Sequence, residues 1–288
     1  MSLTELAFAK LNLSLDVADK LPDGYHAVRS IMQSTDFCDE VRLEPGQGGW
    51  TVHSDLSYLP TGETNLAARA AIHYRQETGL GPTGGENSLG KRIPVCGGFG
   101  GGSSDAAAVL RIMNRLSPRP LSWEELEVLS RPLGADVPFC VRGGTARAEG
   151  KGEVLTPLPD FSGRALLLCR PDFSCSTPLL FKAIDRQKIR IRPDTAGLEK
   201  AVAEGDTAGV ARRLFNVFEG VLPKKQRDTV WEIRDAMLEA GALGTAMTGS
   251  GSGIFGIFPE EETAESALAS LHSQGIRCVR AKTTARLV

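Results

Sequence analysis

Two glycine-rich stretches and a few isolated polar residues are the parts of this chain best suited to chemistry. From Pro94 to Ala108 the sequence reads PVCGGFGGGSSDAAA, with five glycines in the six positions Gly97 to Gly102. Glycine loses more backbone entropy on folding than any other residue, so such a cluster weakens an ordinary element. Its advantage is that backbone N–H groups can converge on an anion without side chains in the way. Ser103 or Ser104 can cap a following helix whose Ala106, Ala107, Leu110 and Met113 make an apolar face. A glycine loop that delivers a helix N-terminus is suited to hold phosphate, because unpaired N–H groups and the helix dipole both favour negative charge. A second cluster, Thr248 to Gly253, offers further N–H donors, or forms a packing turn before the strand that follows.

The kind of phosphate chemistry narrows by elimination. No Lys follows the glycines, so the Walker pattern is absent, as are the H-R-D and D-F-G pieces of protein kinases. Gly251, Gly253 and Gly256 have dinucleotide-type spacing, but Ile254 to Phe258 continues as a strand where that site needs a helix. No G-x-S-x-G elbow occurs, which argues against a hydrolase. Phosphoryl transfer to an alcohol needs a group that orients the hydroxyl and takes its proton, and a cation near the developing charge. Asp136, between Gly134-Ala135 and Val137-Pro138, is a carboxylate in apolar surroundings that needs a partner; it equally stands where a helix N-cap would. Lys10 can be that partner, or a solvated strand lysine. Tyr25 and His26 follow a turn at Leu21 to Gly24, where a ring and an imidazole can stack on and hydrogen-bond a nucleobase; a core Tyr and a surface His would look the same.

The elements that must position these residues follow from periodicity. Leu11, Leu13, Leu15 and Val17 alternate as one buried strand face, with Lys10 and Asn12 in the opposite register. Further strands are expected at Val28–Met32, Glu40–Leu43 and Trp50–His53, a helix over Asn65–Gln76, and a helix opened by a Ser122/Glu125 capping box. After Pro157, Pro159 and Gly163, a strand at Arg164–Cys169 marks a new unit. Helices at Thr195–Ala203, Asp228–Ala240 and Glu262–Gln274 then mix with strands at Gly253–Phe258 and Arg277–Ala281. The run Lys182, Arg186, Lys188, Arg190 and Arg192, alternating with Ile189 and Ile191, reads as a solvated strand face. Strands and helices without a regular βαβα beat favour an α+β fold.

Pro94 to Ala108 resembles the glycine-serine ATP loop of the GHMP small-molecule kinases, which include galactokinase, homoserine kinase and mevalonate kinase. Other family pieces occur in order: Ala9 to Leu13, Asp23 to His26, Asn65-Leu66, Gly134 to Phe139 and Gly249 to Gly253. The likeness spans nearly the whole chain and is greatest to the branch that acts on 4-diphosphocytidyl-2-C-methyl-D-erythritol, on the non-mevalonate route to isoprenoid precursors. It implies an ATP-binding, ribosomal-S5-like domain at residues 1–157 and a ferredoxin-like, substrate-side domain at 158–288, with the site between them. ATP and Mg2+ are the implied cofactors and the 2-hydroxyl the implied acceptor. The resemblance makes Lys10 and Asp136 the catalytic pair. It assigns ATP to Asn65, Lys91, Pro94, Gly97, Gly98, Gly100, Gly101, Gly102, Ser103 and Ser104, and Mg2+ to Ser104. It assigns the cytidine substrate to Asn12, Tyr25, His26, Asp136, Thr177, Phe181, Gly249 and Ser250, with Tyr25 and Phe181 sandwiching the base. Two departures stand out. Cys96 replaces a common Gly at the loop entry and should be tolerated if its φ is negative. Asp105 replaces a usual Asn, placing a carboxylate where it repels phosphates or favours a metal. A homoserine- or mevalonate-type kinase and a non-catalytic nucleotide sensor remain the alternatives.

Composition agrees with a small-molecule enzyme. The 288 residues carry 33 Lys+Arg against 35 Asp+Glu, net -2, so no basic field is present to hold nucleic acid or an anionic membrane. That length lies near the size at which one core divides into two. No apolar run approaches the roughly 20 residues of a membrane span, and Met1 to Glu5 lacks a basic signal-type start, so a soluble cytoplasmic protein is expected, as a monomer or weak homodimer. Cys38, Cys96, Cys140, Cys169, Cys175 and Cys278 show no C-x-x-C spacing and read as reduced, mostly buried thiols.

Overall fold

The computed structural model describes residues 1–187 and 189–288. It is an α+β structure built on two sheets. The first begins with a long antiparallel pair, β1 (Leu3–Lys20) and β2 (His26–Gly46), joined across the Leu21 to Tyr25 turn. The two strand pieces expected between Val28 and Leu43 are therefore one strand. The alternation is broken by register irregularities between Phe8 and Lys10 and between Asn12 and Ser14. Each extra residue moves the following side chains to the other face of the sheet. Ala7 thus packs with the helix-side core, whereas Ala9, Leu11 and Leu13 pack against Leu166, Leu168, Phe255 and Ile257 of the second half.

β3 (Trp50–Ser54) and β4 (Gly84–Gly90) extend this sheet, β5 (Thr145–Glu149) pairs onto β2, and β6 (Val154–Pro157) pairs onto β5. Four helices are threaded between these strands: α1 (Leu66–Thr78), α2 (Gly101–Leu116), α3 (Trp123–Ser130) and α4 (Val137–Arg142). The Ser122/Glu125 capping box opens α3 as expected. The first-sheet core forms where the alanine-rich faces of α1 and α2 meet Val41, Leu43, Val52 and Leu89. Small side chains allow that close helix packing.

The second sheet, in the order β11-β7-β10-β9, is antiparallel: β7 (Ala165–Cys169), β9 (Gly244–Met247), β10 (Ile254–Ile257) and β11 (Cys278–Lys282). Between β7 and β9 come α5 (Thr177–Asp185), α6 (Thr195–Ala203), α7 (Thr207–Ala211), β8 (Phe215–Asn216) and α8 (Lys224–Glu239); α9 (Glu261–Ser273) precedes β11. The halves are stitched together. β8 pairs parallel to β1, and near the C-terminus Thr283 and Arg286 bridge back to Thr35 and Gly143.

The expected strand over Lys182 to Arg192 is not formed. Pro178 opens α5, whose Leu180 and Ile184 are buried four residues apart, and helical burial overrides the alternation beyond it. Ile191 is exposed, Arg192 bonds Asp16 at 2.6 Å, and Lys188 lies outside the described residues. Only Cys169 and Cys278 of the six free thiols are buried, fewer than expected. Among the described residues no helix is long and apolar enough to cross a membrane.

The two glycine clusters meet backbone to backbone where the halves join. Gly253 N donates to Gly97 O at 2.9 Å, and Thr248 Oγ1 to Gly98 O at 3.3 Å. A Cβ on Gly98 would overlap the Thr248 carbonyl, and one on Gly253 would overlap Gly97 O and the Phe99 ring. We expect Gly253→Ala to lower unfolding free energy by about 1–3 kcal/mol through overpacking. Chemical denaturation measures this, and an unchanged midpoint would contradict the close approach.

Candidate active site

Lys10 lies on β1 between the two irregularities, and its ammonium is almost wholly removed from water, with a side-chain exposure of 4%. An ammonium buried in this way needs charged and hydrogen-bonding partners. Lys10 Nζ donates to Asn12 Oδ1 at 2.8 Å and lies 3.4 Å from Asp136 Oδ2. Asp136 occupies the N-cap position of α4, yet its side chain makes no capping bond. The carboxylate reaches Lys10 instead, so the positional cap and the functional partner are the same residue.

Asn12 was expected to touch substrate, but it supports the pair from behind. Its Oδ1 accepts from Lys10, from Gly249 N at 2.9 Å and from Thr248 Oγ1 at 3.3 Å, and its Nδ2 donates to Ser30 Oγ at 2.7 Å. Asn12 lines neither of the two cavities described below. The Gly249 N–H, expected to face an anion, is held by this bond.

Beside Lys10 and Asp136 the glycine loop walls a cavity of about 410 Å³. Pro94, Gly97, Gly98, Gly100, Gly101, Gly102 and Ser103 line it, facing Gly249 and Ser250, with Asn65 and Leu66 at one side. Lys10 N bonds Phe99 O at 2.9 Å, and a Cβ on Gly100 would come within 2.9 Å of Lys10 Cγ, so glycine is required for the loop to close over the lysine. Gly100, at φ 76°, is the N-cap of α2 in place of the expected serines. Cys96 is the one non-glycine with positive φ among the described residues, at 55°, so the condition for its easy accommodation is not met.

Three further expectations change. Ser104 does not face the cavity: its Oγ donates to Phe8 O at 2.6 Å and Gly100 O at 3.0 Å, and the residue is buried. It fits neither a nucleotide contact nor a Mg2+ ligand. Among the described residues no group of three or more His, Cys, Asp or Glu gathers to hold a metal. Asn65 also lines the cavity, but its side chain caps α1 through Ala67 N at 3.0 Å and donates to Pro60 O at 2.9 Å. Lys91, expected at the adenine, does line the cavity, together with Asp105, but its ammonium is enclosed between two carboxylates. Its Nζ bonds Asp39, and Asp105 Oδ2 at 2.6 Å, so Asp105 is turned to Lys91 rather than to phosphate.

Asp39 also accepts from Arg92 N and Ile93 N, whereas Asp105 Oδ1 has no partner among the described residues. Burial pushes the Asp105 carboxyl up to about 7; Lys91 opposes the rise and the Asp39 charge adds to it. Burial pulls the Lys91 ammonium down, but the two carboxylates outweigh this and leave it above the ordinary lysine value.

A second cavity of about 960 Å³ has Ala135, the neighbour of Asp136 in the chain, in its wall. Tyr25, His26, Thr177 and Phe181 line it, together with Lys20, Arg131, Lys151 and Lys182. Glu153 and Asp185 are the two acidic side chains in that lining, so cations outnumber anions. The aromatic pair differs from the expected sandwich. His26 stacks on Phe181 with centroids 5.1 Å apart and planes at 22°. Tyr25 is exposed and lies over Lys151 Nζ, 4.3 Å from the ring centroid. Thr177 Oγ1 and Ser250 Oγ, 2.6 Å apart, link α5 to the second glycine cluster.

These features have counterparts in known proteins. A model described as the GHMP kinases N terminal domain matches residues 65–144, and one described as GHMP kinases C terminal matches residues 198–277. A curated relative from Acetivibrio thermocellus, named 4-diphosphocytidyl-2-C-methyl-D-erythritol kinase, is 41% identical over 281 residues, covering 96% of this chain and 97% of the relative. The chain belongs to the GHMP kinases. A relative of the same name from Clostridium botulinum is 39% identical, covering 88% of this chain and 90% of its own. A crystal structure described as 4-(cytidine 5'-diphospho)-2C-methyl-D-erythritol kinase superposes with a TM-score of 0.81 at 33% identity, over 98% of this chain and 100% of that one. Homoserine kinase from Cytophaga hutchinsonii shares the fold, with a TM-score of 0.76 at 20% identity over 99% of this chain and 95% of that one. Membership in this kinase family carries ATP use with it.

Sequence reasoning missed Asp39, Thr248 as a partner of Asn12, and Asp185. None is flagged by local spacing, because each acts on a residue far along the chain.

The buried triad makes a pH prediction for this GHMP kinase. Asp105 binds its proton more tightly folded than unfolded, where the ordinary value is 3.8, so its contribution lowers stability as pH rises from there through about 7 and is level above. Asp105→Asn removes that loss. We expect a melting temperature at about pH 8 higher by several degrees, roughly 2–4 °C for each kcal/mol, with the gain shrinking as pH falls below about 7 and gone only by about pH 4. Calorimetry across that range checks it; a loss of stability at alkaline pH would mean that the ionised carboxylate is the stabilising form.

Proposed function

We propose that this chain transfers the γ-phosphoryl group of ATP to the 2-hydroxyl of 4-diphosphocytidyl-2-C-methyl-D-erythritol, on the non-mevalonate route to isoprenoid precursors. The observation that carries this reading is the Lys10–Asp136 pair in a cavity walled by glycine backbone, next along the chain to Ala135 in the wall of a second cavity lined by aromatic and basic side chains. The names of the relatives that cover nearly the whole chain support the substrate. A cation-rich cavity suits a diphosphate, and its rings suit a base.

The residues present fit a nucleotide. The glycine loop is closed over Lys10 at Gly100, while a Cβ on Gly102 would meet nothing within 4 Å, leaving open space at the first turn of α2. ATP supplies the phosphoryl group when bound there. Mg2+ accompanies it without a side chain of this chain assigned to hold it. Asp136, with 37% of its side chain exposed, is open to the acceptor hydroxyl and takes its proton. Lys10 orients that carboxylate, and its charge faces the oxygen on which negative charge develops. Asn12 holds the lysine in that geometry through their 2.8 Å bond. Transfer is in line, with no covalent enzyme intermediate.

A phosphorylation assay on alcohols with and without a cytidine diphosphate group tests the reading. The cytidine compound should be strongly preferred; equal use of a simple alcohol would favour the homoserine or mevalonate type. Asp136→Asn should lower kcat by about 10²–10⁴-fold with little change in the KM for ATP. A full rate in that variant would remove Asp136 as base, and nucleotide binding without turnover in the unaltered protein would indicate a sensor. Gly102→Ala should keep the melting temperature, since alanine is about 1 kcal/mol better than glycine inside a helix, while weakening ATP binding. Calorimetric titration with ATP reads the second effect.

A further inference from the structure

The larger cavity contains a carboxylate that the reading above does not use. Asp185 Oδ1 lies 2.6 Å from His26 Nε2, and its Oδ2 lies 3.7 Å from Lys20 Nζ. Phe181 and Asp185 are four residues apart on α5, so a single helix face carries both the ring under His26 and the carboxylate at its edge. Phe181 is itself braced edge-on by Phe218 at 5.1 Å. The imidazole is therefore fixed in plane and in rotation by groups outside any substrate. Its Nδ1 makes no hydrogen bond among the described residues.

We propose that Asp185 is a positioning residue that sets base specificity: by accepting the Nε2–H of His26 it leaves Nδ1 as a bare acceptor for the exocyclic amine of cytosine. This rests on the cytidine reading of the cavity. An ionised carboxylate only accepts, so the proton must sit on Nε2, and a neutral imidazole has one proton to place. Cytosine carries an amine donor where uracil carries a carbonyl acceptor. Nδ1 facing that carbonyl would leave two acceptors opposed in a partly dehydrated site, which disfavours uridine. The hydrogen bond from His26, joined by the nearby Lys20 ammonium, holds the Asp185 carboxyl below its ordinary range.

Asp185→Asn tests this, because an amide can donate as well as accept and so releases the tautomer. Nitrogen-15 shifts of the His26 ring at about pH 8, assigned by comparison with His26→Gln, should show one Nε2–H tautomer in the unaltered protein and a mixture in the variant. With the cytidine acceptor, KM should rise about tenfold while kcat changes less than about twofold, and the preference over the uridine counterpart should fall by about tenfold. Asp185→Glu should keep the tautomer and most of the preference. A purely electrostatic role predicts the opposite, since removing an anion from a diphosphate site lowers KM for both acceptors alike; that result, or an unchanged tautomer, overturns the proposal. If the unaltered enzyme is indifferent to the base while its tautomer still depends on Asp185, the cytidine reading fails and the Asp185–His26 coupling stands.

Discussion

A lysine ammonium held out of water at the join of two sheets organises this molecule. Desolvating such a charge costs several kcal/mol unless partners replace the lost hydration. Lys10 finds an amide oxygen on its own strand and a carboxylate at the start of α4. The amide oxygen belongs to Asn12, which also binds Thr248 and Gly249 of the second half. The satisfaction of one charge is therefore tied to the docking of the two halves. Gly100 lacks a side chain because Lys10 passes beneath it, and α2 begins where that glycine turns.

A second buried lysine shows what the first would be without its position. Lys91 is held between Asp39 and Asp105, enclosed on the helix side of the loop. Its charge is fully committed to protein carboxylates, and one of these, Asp105, keeps an unpaired oxygen. Lys10 has a single carboxylate partner that is still over a third exposed. The two lysines differ in how far the partner carboxylate stays open to solvent, 37% for Asp136 against 5% for Asp105.

The two cavities divide the labour by composition. Backbone surrounds the smaller one, where N–H groups and small residues suit phosphates. Rings and long cationic side chains surround the larger, a lining suited to an aromatic base and an anionic group. Ala135 and Asp136, adjacent in the chain, face one cavity each. Close junction of the two is what permits direct transfer between bound molecules.

Local pattern was enough to locate most helices, the α+β class and the glycine loop, because periodicity, capping boxes and glycine clustering are written within a few residues. The spacing of Thr195 to Ala203 and the Ser122/Glu125 box needed nothing from elsewhere in the chain. The single long β2 strand escaped that reading, since its bulged register depends on the partner strand. So did the basic run after Phe181, where burial of Leu180 and Ile184 against the second core selected a helix. For the site, residue types nominated Lys10, Asp136 and His26 and the family resemblance added Phe181, but neither gave the direction in which any side chain turns. Ser104 turned to a carbonyl, Asp105 to Lys91 and His26 onto Phe181 because each polar or aromatic group had a partner brought near by folding. A buried polar atom takes the partner that tertiary contact supplies, and the linear order of residues does not encode that distance.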